Sequence, residues 1–206
     1  MTCVVALVHN NLTVVGADSL CTYGDNAATR NDVKFFKIKQ VKSPDVMIAF
    51  DGDYRAADLM RSLRLPEQKE LTLDREVNRN FLILKMVPAM QKLFKRGNYK
   101  AGEEEIGSNF LICYRNWVYE IGMNYSIQDP ALPFAAIGVG FSYALGAMHH
   151  AYLSADFGQM DPAKIVIDAL EISAEHCHKV RGPMKWVPVS HIEIPNHDTQ
   201  KRRCSC

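Results

Sequence analysis

Apolar and polar residues fall into distinct blocks along the chain. From Thr2 to Asp18 the segment TCVVALVHNNLTVVGAD places two apolar runs on either side of His9-Asn10-Asn11, and adjacent asparagines tolerate the positive φ of a tight hairpin. Val33 to Ile38 and Val46 to Phe50 have the length and composition of two further short strands. After Asp51-Gly52-Asp53 the period changes, and Ala56, Ala57, Leu59, Met60 and Leu63 predict a helix that stops near Leu65-Pro66, where proline pushes its predecessor out of the α region. The polar link PEQKELTLD leads into an amphipathic stretch from Arg75 to Lys95, in which Pro88 predicts a kink or break. Asn109 to Tyr114 and Trp117 to Ile121 read as a second hairpin around Arg115-Asn116. Phe134 to Ile137 reads as a strand that runs into Gly138-Val139-Gly140. Two helices follow: one from Phe141 to about Leu153, the other capped by Asp161 with Pro162 at its first position and continuing to about His178. Lys185 to Ile194 returns to a strand pattern.

Strands, two helices, strands, two helices and a strand form an α+β order. It suits a four-layer αββα sandwich, two antiparallel sheets face to face with helices outside both. Residues 1–195 are expected to form one domain, with 196–206 as a flexible basic tail. A chain of 206 residues can bury a full core without disulfides.

A net charge of +1 provides no basic field for nucleic acid. No stretch approaches the eighteen apolar residues of a membrane span, and no secretory leader is visible at the N-terminus. The cysteines at 3, 21, 113, 177, 204 and 206 have no CxxC pair or regular framework, and so read as reduced thiols of a cytoplasmic protein.

Threonine at position 2 can become the first residue of a mature chain, because a small second side chain permits removal of Met1. A terminal amine next to a hydroxyl supplies the general base that threonine otherwise lacks. Asp18 ends an apolar strand and Lys34 opens another, so a salt bridge between strand ends is the simplest reading of the pair. Thr2, Asp18 and Lys34 are sixteen residues apart in each step, and in this the chain resembles the proteasome β-subunit family, above all its bacterial HslV-type peptidases. The hairpin turn, the glycine after the next strand and the Gly-x-Gly before a helix match as well, over roughly residues 2 to 181. The resemblance implies an N-terminal-nucleophile hydrolase fold. It makes Thr2 the nucleophile and its amine the base, with Lys34 and Asp18 setting the electrostatics and the Gly52 backbone N–H receiving the oxyanion. It also implies a threonine endopeptidase that degrades unfolded polypeptides inside a homo-oligomeric chamber of one ring or stacked rings, with an AAA+ ATPase unfoldase as a partner. No P-loop is present, and no cofactor or metal is expected.

The chain departs from the family pattern at three points. Val139 stands where a serine is usual, and by alignment Cys177 and Val180 stand where proteasomes carry an aspartate and a serine; Ser142 is the candidate substitute hydroxyl. His149-His150 and the pair His176 and His178 lack the i, i+4 spacing of a helical metal pair. Cys3 should face away from Thr2 on an alternating strand. Two other readings stand beside the peptidase: an inactive structural or assembly subunit that keeps Met1, and a small-molecule amidase sharing the nucleophile.

Overall fold

The computed structural model describes residues 2–23, 26–29, 33–38, 46–65, 74–99, 105–114 and 116–189. The polar link of 66–73, the turn residue at 115, the end of the last predicted strand beyond 189 and the 196–206 tail lie outside the described residues.

One sheet is built on the N-terminal hairpin, β1 (Cys3–His9) and β2 (Leu12–Ala17), whose turn carries Asn10 at φ 47 and Asn11 at φ 62. A short hairpin follows, β3 (Leu20–Tyr23) and β4 (Asn26–Thr29). Next come β5 (Phe35–Ile38), β6 (Val46–Gly52), β7 (Ser108–Tyr114), β8 (Trp117–Ile121) and β9 (Ile127–Gln128), which form a second sheet in that order. The strands β10 (Phe134–Gly138) and β11 (Lys185–Val189) complete the first sheet, in the order β10-β1-β2-β11, with every pair antiparallel. Pro188 is tolerated because β11 is an edge strand.

Side-chain alternation separates three apolar layers. Val4, Ala6, Val15, Ala17, Met47, Ala49, Leu111 and Ile137 fill the space between the two sheets. Cys3, Val5, Leu7 and Val14 point the other way, against α4 (Phe141–Tyr152) and α5 (Pro162–His176). Ile48, Phe50, Phe110 and Ile112 pack beneath α1 (Tyr54–Arg61), α2 (Arg75–Phe81) and α3 (Val87–Arg96). The result is the αββα sandwich expected from the order of elements. Gly16 permits close contact with α5, because a Cβ there would lie 2.4 Å from Val166 Cγ1.

Helix ends differ from expectation in two places. α1 stops at Arg61, earlier than Leu65, where the Ser62 hydroxyl donates to the Leu59 carbonyl at 2.7 Å; Leu63 stays buried without being helical. Between α2 and α3 the chain does not break at Pro88. It widens into a π-helical turn over Leu82–Met86, with the Val87 N–H donating to Leu82 O, which absorbs the hydrogen bond a proline cannot make. α5 starts as expected, with the Asp161 carboxylate accepting from the Ala163 N–H at 2.9 Å. Among the described residues no helix is long and apolar enough to cross a membrane.

Candidate active site

The first residue of β1 and the ends of β2, β5, β6 and β10 meet at one edge of the sandwich. At the centre is Asp18, just past β2, with its side chain fully buried. Its Oδ1 accepts from the Lys34 ammonium at 2.6 Å and from the Cys3 N–H at 2.9 Å. Its Oδ2 accepts from the Leu20 N–H at 3.1 Å and the Arg181 N–H at 3.3 Å. Four donors on one carboxylate offset the desolvation that an ion pair in this position otherwise suffers. The Asp18 N–H in turn donates to Cys3 O at 3.2 Å, so the backbone after Thr2 and the end of β2 hold each other in register.

Lys34 is 1% exposed, and burial pushes its ammonium below the usual lysine range, opposed by Asp18 and, more weakly, by Asp51. The lysine backbone is anchored too, since the Phe50 N–H donates to Lys34 O at 3.0 Å. The sixteen-residue spacings read from the sequence therefore converge in space: Thr2, Asp18 and Lys34 are all buried at the same sheet edge. Thr2 is 4% exposed and shares the inter-sheet parity of Val4 and Ala6. Its carbonyl oxygen accepts from the Gly140 N–H at 3.4 Å.

Gly52 ends β6 at φ 106 and is exposed, with Asp53 capping α1 just beyond it by accepting from the Arg55 N–H at 2.8 Å. Gly138 has φ 93, and a Cβ on it would lie 2.2 Å from the Thr2 carbonyl oxygen, so only glycine lets β10 approach the start of β1 this closely.

Cys3 is excluded as a nucleophile. Its side chain points into the α4 and α5 layer, and burial pushes the thiol up to about 12. Ser142 is exposed on α4 and does not replace the missing family hydroxyl. The buried hydroxyl on this side belongs to Ser173, which sequence reasoning missed. It donates to Gly140 O at 3.2 Å and to Ala169 O at 2.8 Å, and Cys3 Sγ lies 3.6 Å from its oxygen. Its helical position, one turn from the end of α5 and on the buried stripe with Ala169 and Leu170, was the available signal. Asp51, also missed, is the residue before Gly52 on β6. Among the described residues no cluster of histidine, cysteine and carboxylate side chains could hold a metal ion.

A model of the proteasome subunit family matches residues 1–182. The chain belongs to the proteasome subunit family. Among solved structures, this family member is similar to Thiobacillus denitrificans BPH in complex with epoxomicin, at 20% identity and a TM-score of 0.70, covering 92% of this chain and 100% of that one. HslV from Trypanosoma brucei follows at 19% identity and a TM-score of 0.65, covering 92% of this chain and 99% of that one. The Anbu complex from Pseudomonas aeruginosa, solved as a helical assembly, gives 14% identity and a TM-score of 0.61, covering 92% of this proteasome-family chain and 81% of the other. At these identities the likeness is one of fold. No curated protein matches the chain.

Proposed function

We propose that this proteasome-family chain is a threonine-type endopeptidase in which Thr2, freed by removal of Met1, attacks the scissile carbonyl. The observation that carries the reading is the buried Lys34–Asp18 pair, tied by the Cys3 N–H to the residue that follows Thr2. The free amine of Thr2 takes the proton of its own hydroxyl. The Lys34 ammonium favours the neutral amine and the ionised hydroxyl by its charge, and Asp18 keeps that ammonium in place. The Gly52 N–H, at an exposed turn leading into α1, receives the oxyanion. Collapse of the tetrahedral intermediate expels the amine of the leaving peptide, which takes the proton from the Thr2 amine, and water then hydrolyses the ester.

Unfolded polypeptide is the substrate class we assign, handled within a homo-oligomer in the cytoplasm. Exposed Phe141, Tyr143 and Leu153 on and beside α4 are candidates for subunit contacts. An ATP-driven unfoldase would dock away from the nucleophile. The groove between α1 and α3, edged by Arg61, Arg64, Lys92 and Arg96, suits an anionic chain end.

The test pairs the parent with Thr2→Ala on short fluorogenic peptides and on casein. Without nucleophile, cleavage should fall by at least about a thousandfold. Epoxomicin, the compound held by the Thiobacillus denitrificans protein, should add its mass to Thr2 of the parent and not to the variant. Equal hydrolysis by both proteins would remove the proposal. One observation favours a second reading, an inactive subunit: a carboxylate, Asp51, stands directly before Gly52, whose N–H catalysis needs. Intact mass separates the two readings, since a chain that keeps Met1 has no free Thr2 amine.

A further inference from the structure

A carboxylate stands on the inter-sheet face of β6 where an apolar residue belongs. Met47 and Ala49 point into the space between the sheets, and Asp51 is next in that row. Thr2 is next in the facing row of β1, after Ala6 and Val4. The two rows therefore end opposite each other at the same edge of the sandwich. Gly138 lies between them: a Cβ built on it would be 2.2 Å from the Thr2 carbonyl oxygen and 3.3 Å from Asp51 Cγ. Asp51 pairs in register with Asn109 of β7, and the neighbouring Asn109 side chain and Gly52 N–H favour its ionised form.

Charge gives this placement a meaning. Lys34 feels both Asp18 and Asp51, so among the described residues one ammonium faces two carboxylates. Burial holds the Asp51 carboxyl above its usual range, opposed in part by Lys34. Among the described residues, other titratable groups facing the cluster are the thiols Cys3 and Cys177 from the α5 side and Cys21 near Lys34. Among these groups, the free amine of Thr2 is the cation that would complete the balance.

We propose that Asp51 is a positioning residue for the nucleophile, its carboxylate holding the free α-amine of Thr2 from the opposite sheet. This rests on the threonine-peptidase reading. Lys34 lowers the affinity of the amine for its proton and Asp51 raises it, so the two set the pH at which the amine becomes a base. The sign follows: without the Asp51 charge the amine loses its proton more readily, and the acid limb of activity moves to lower pH.

The experiment compares the mature parent with Asp51→Asn, and with Asp51→Ala as a smaller second variant, after circular dichroism has shown that each is folded. The acid limb of kcat/KM should shift down by about one pH unit, the scale of one added or removed neighbouring charge. The rate at which an acylating reagent modifies the Thr2 amine, located by mass spectrometry, should show the same shift in its pH midpoint without any turnover. If neither variant folds, carbon-13 titration of the Asp51 carboxyl in the parent decides: its midpoint should be lower with a free Thr2 amine than with an acetylated one. An active parent whose limb and amine midpoint stay put in the variants, or an Asp51 carboxyl indifferent to acetylation, overturns the proposal. A parent that keeps Met1 and cleaves nothing overturns it together with the peptidase reading, and is recognised by its mass before any variant is made.

Discussion

Asp18 shows how much one side chain can hold. Its carboxylate carries Lys34 and three backbone N–H groups from three separate stretches of chain. Asp18→Asn keeps the shape and removes the charge that lies 2.6 Å from a 1% exposed ammonium. Loss of one member of a buried pair should lower unfolding free energy by about 3–5 kcal/mol, read from denaturant midpoints. Peptide cleavage should fall as well, because Lys34 is then free to lose its proton. At this scale the sequence told part of the story. Thr2, Asp18 and Lys34 could be found because their spacing matches a family pattern, and Gly52 because it follows a strand. Asp51 and Ser173 were missed: the α5 stripe marks Ser173 as buried, but the neighbours that give each side chain its setting, Gly138 for Asp51 and Gly140 for Ser173, lie on distant elements.

Most elements were legible because each carries its own period or punctuation. The Asn10-Asn11 turn, the Asp161 cap with Pro162, and the alternation through β6 and β7 are local signals, and the structure reproduces them. The β3 and β4 hairpin and the two-residue β9 were not read, because four residues or fewer cannot show an alternation. The π turn before Pro88 was read only as a kink or break; its form depends on the buried row Leu82, Met86, Met90 and Phe94 staying on one face across the proline. β10 carries the element-scale prediction. Gly138→Ala would force a left-handed φ on alanine and drive its Cβ into the Thr2 carbonyl. Overpacking of this kind should destabilise by about 1–3 kcal/mol. The backbone of Thr2 would shift, and kcat of the parent should drop at least tenfold while far-ultraviolet circular dichroism stays the same.

For the molecule as a whole, the sandwich buries its three apolar layers but leaves Phe141 at 46%, Tyr143 at 43% and Leu153 at 73% exposure around one helix. Apolar side chains grouped this way are candidate subunit contacts. Phe141→Asp combined with Leu153→Glu should lower the mass found by light scattering and leave the monomer folded; unchanged mass would place the contacts elsewhere. The tie between Arg181 and Asp18 also spans the molecule, joining positions 163 residues apart. During translation the first hairpin emerges long before residue 181 exists, so Asp18 lacks part of its donor set until the Arg181 segment has been made and docked. A nascent chain thus presents an unfinished cluster, and any hydrolytic power it acquires is withheld until that segment docks.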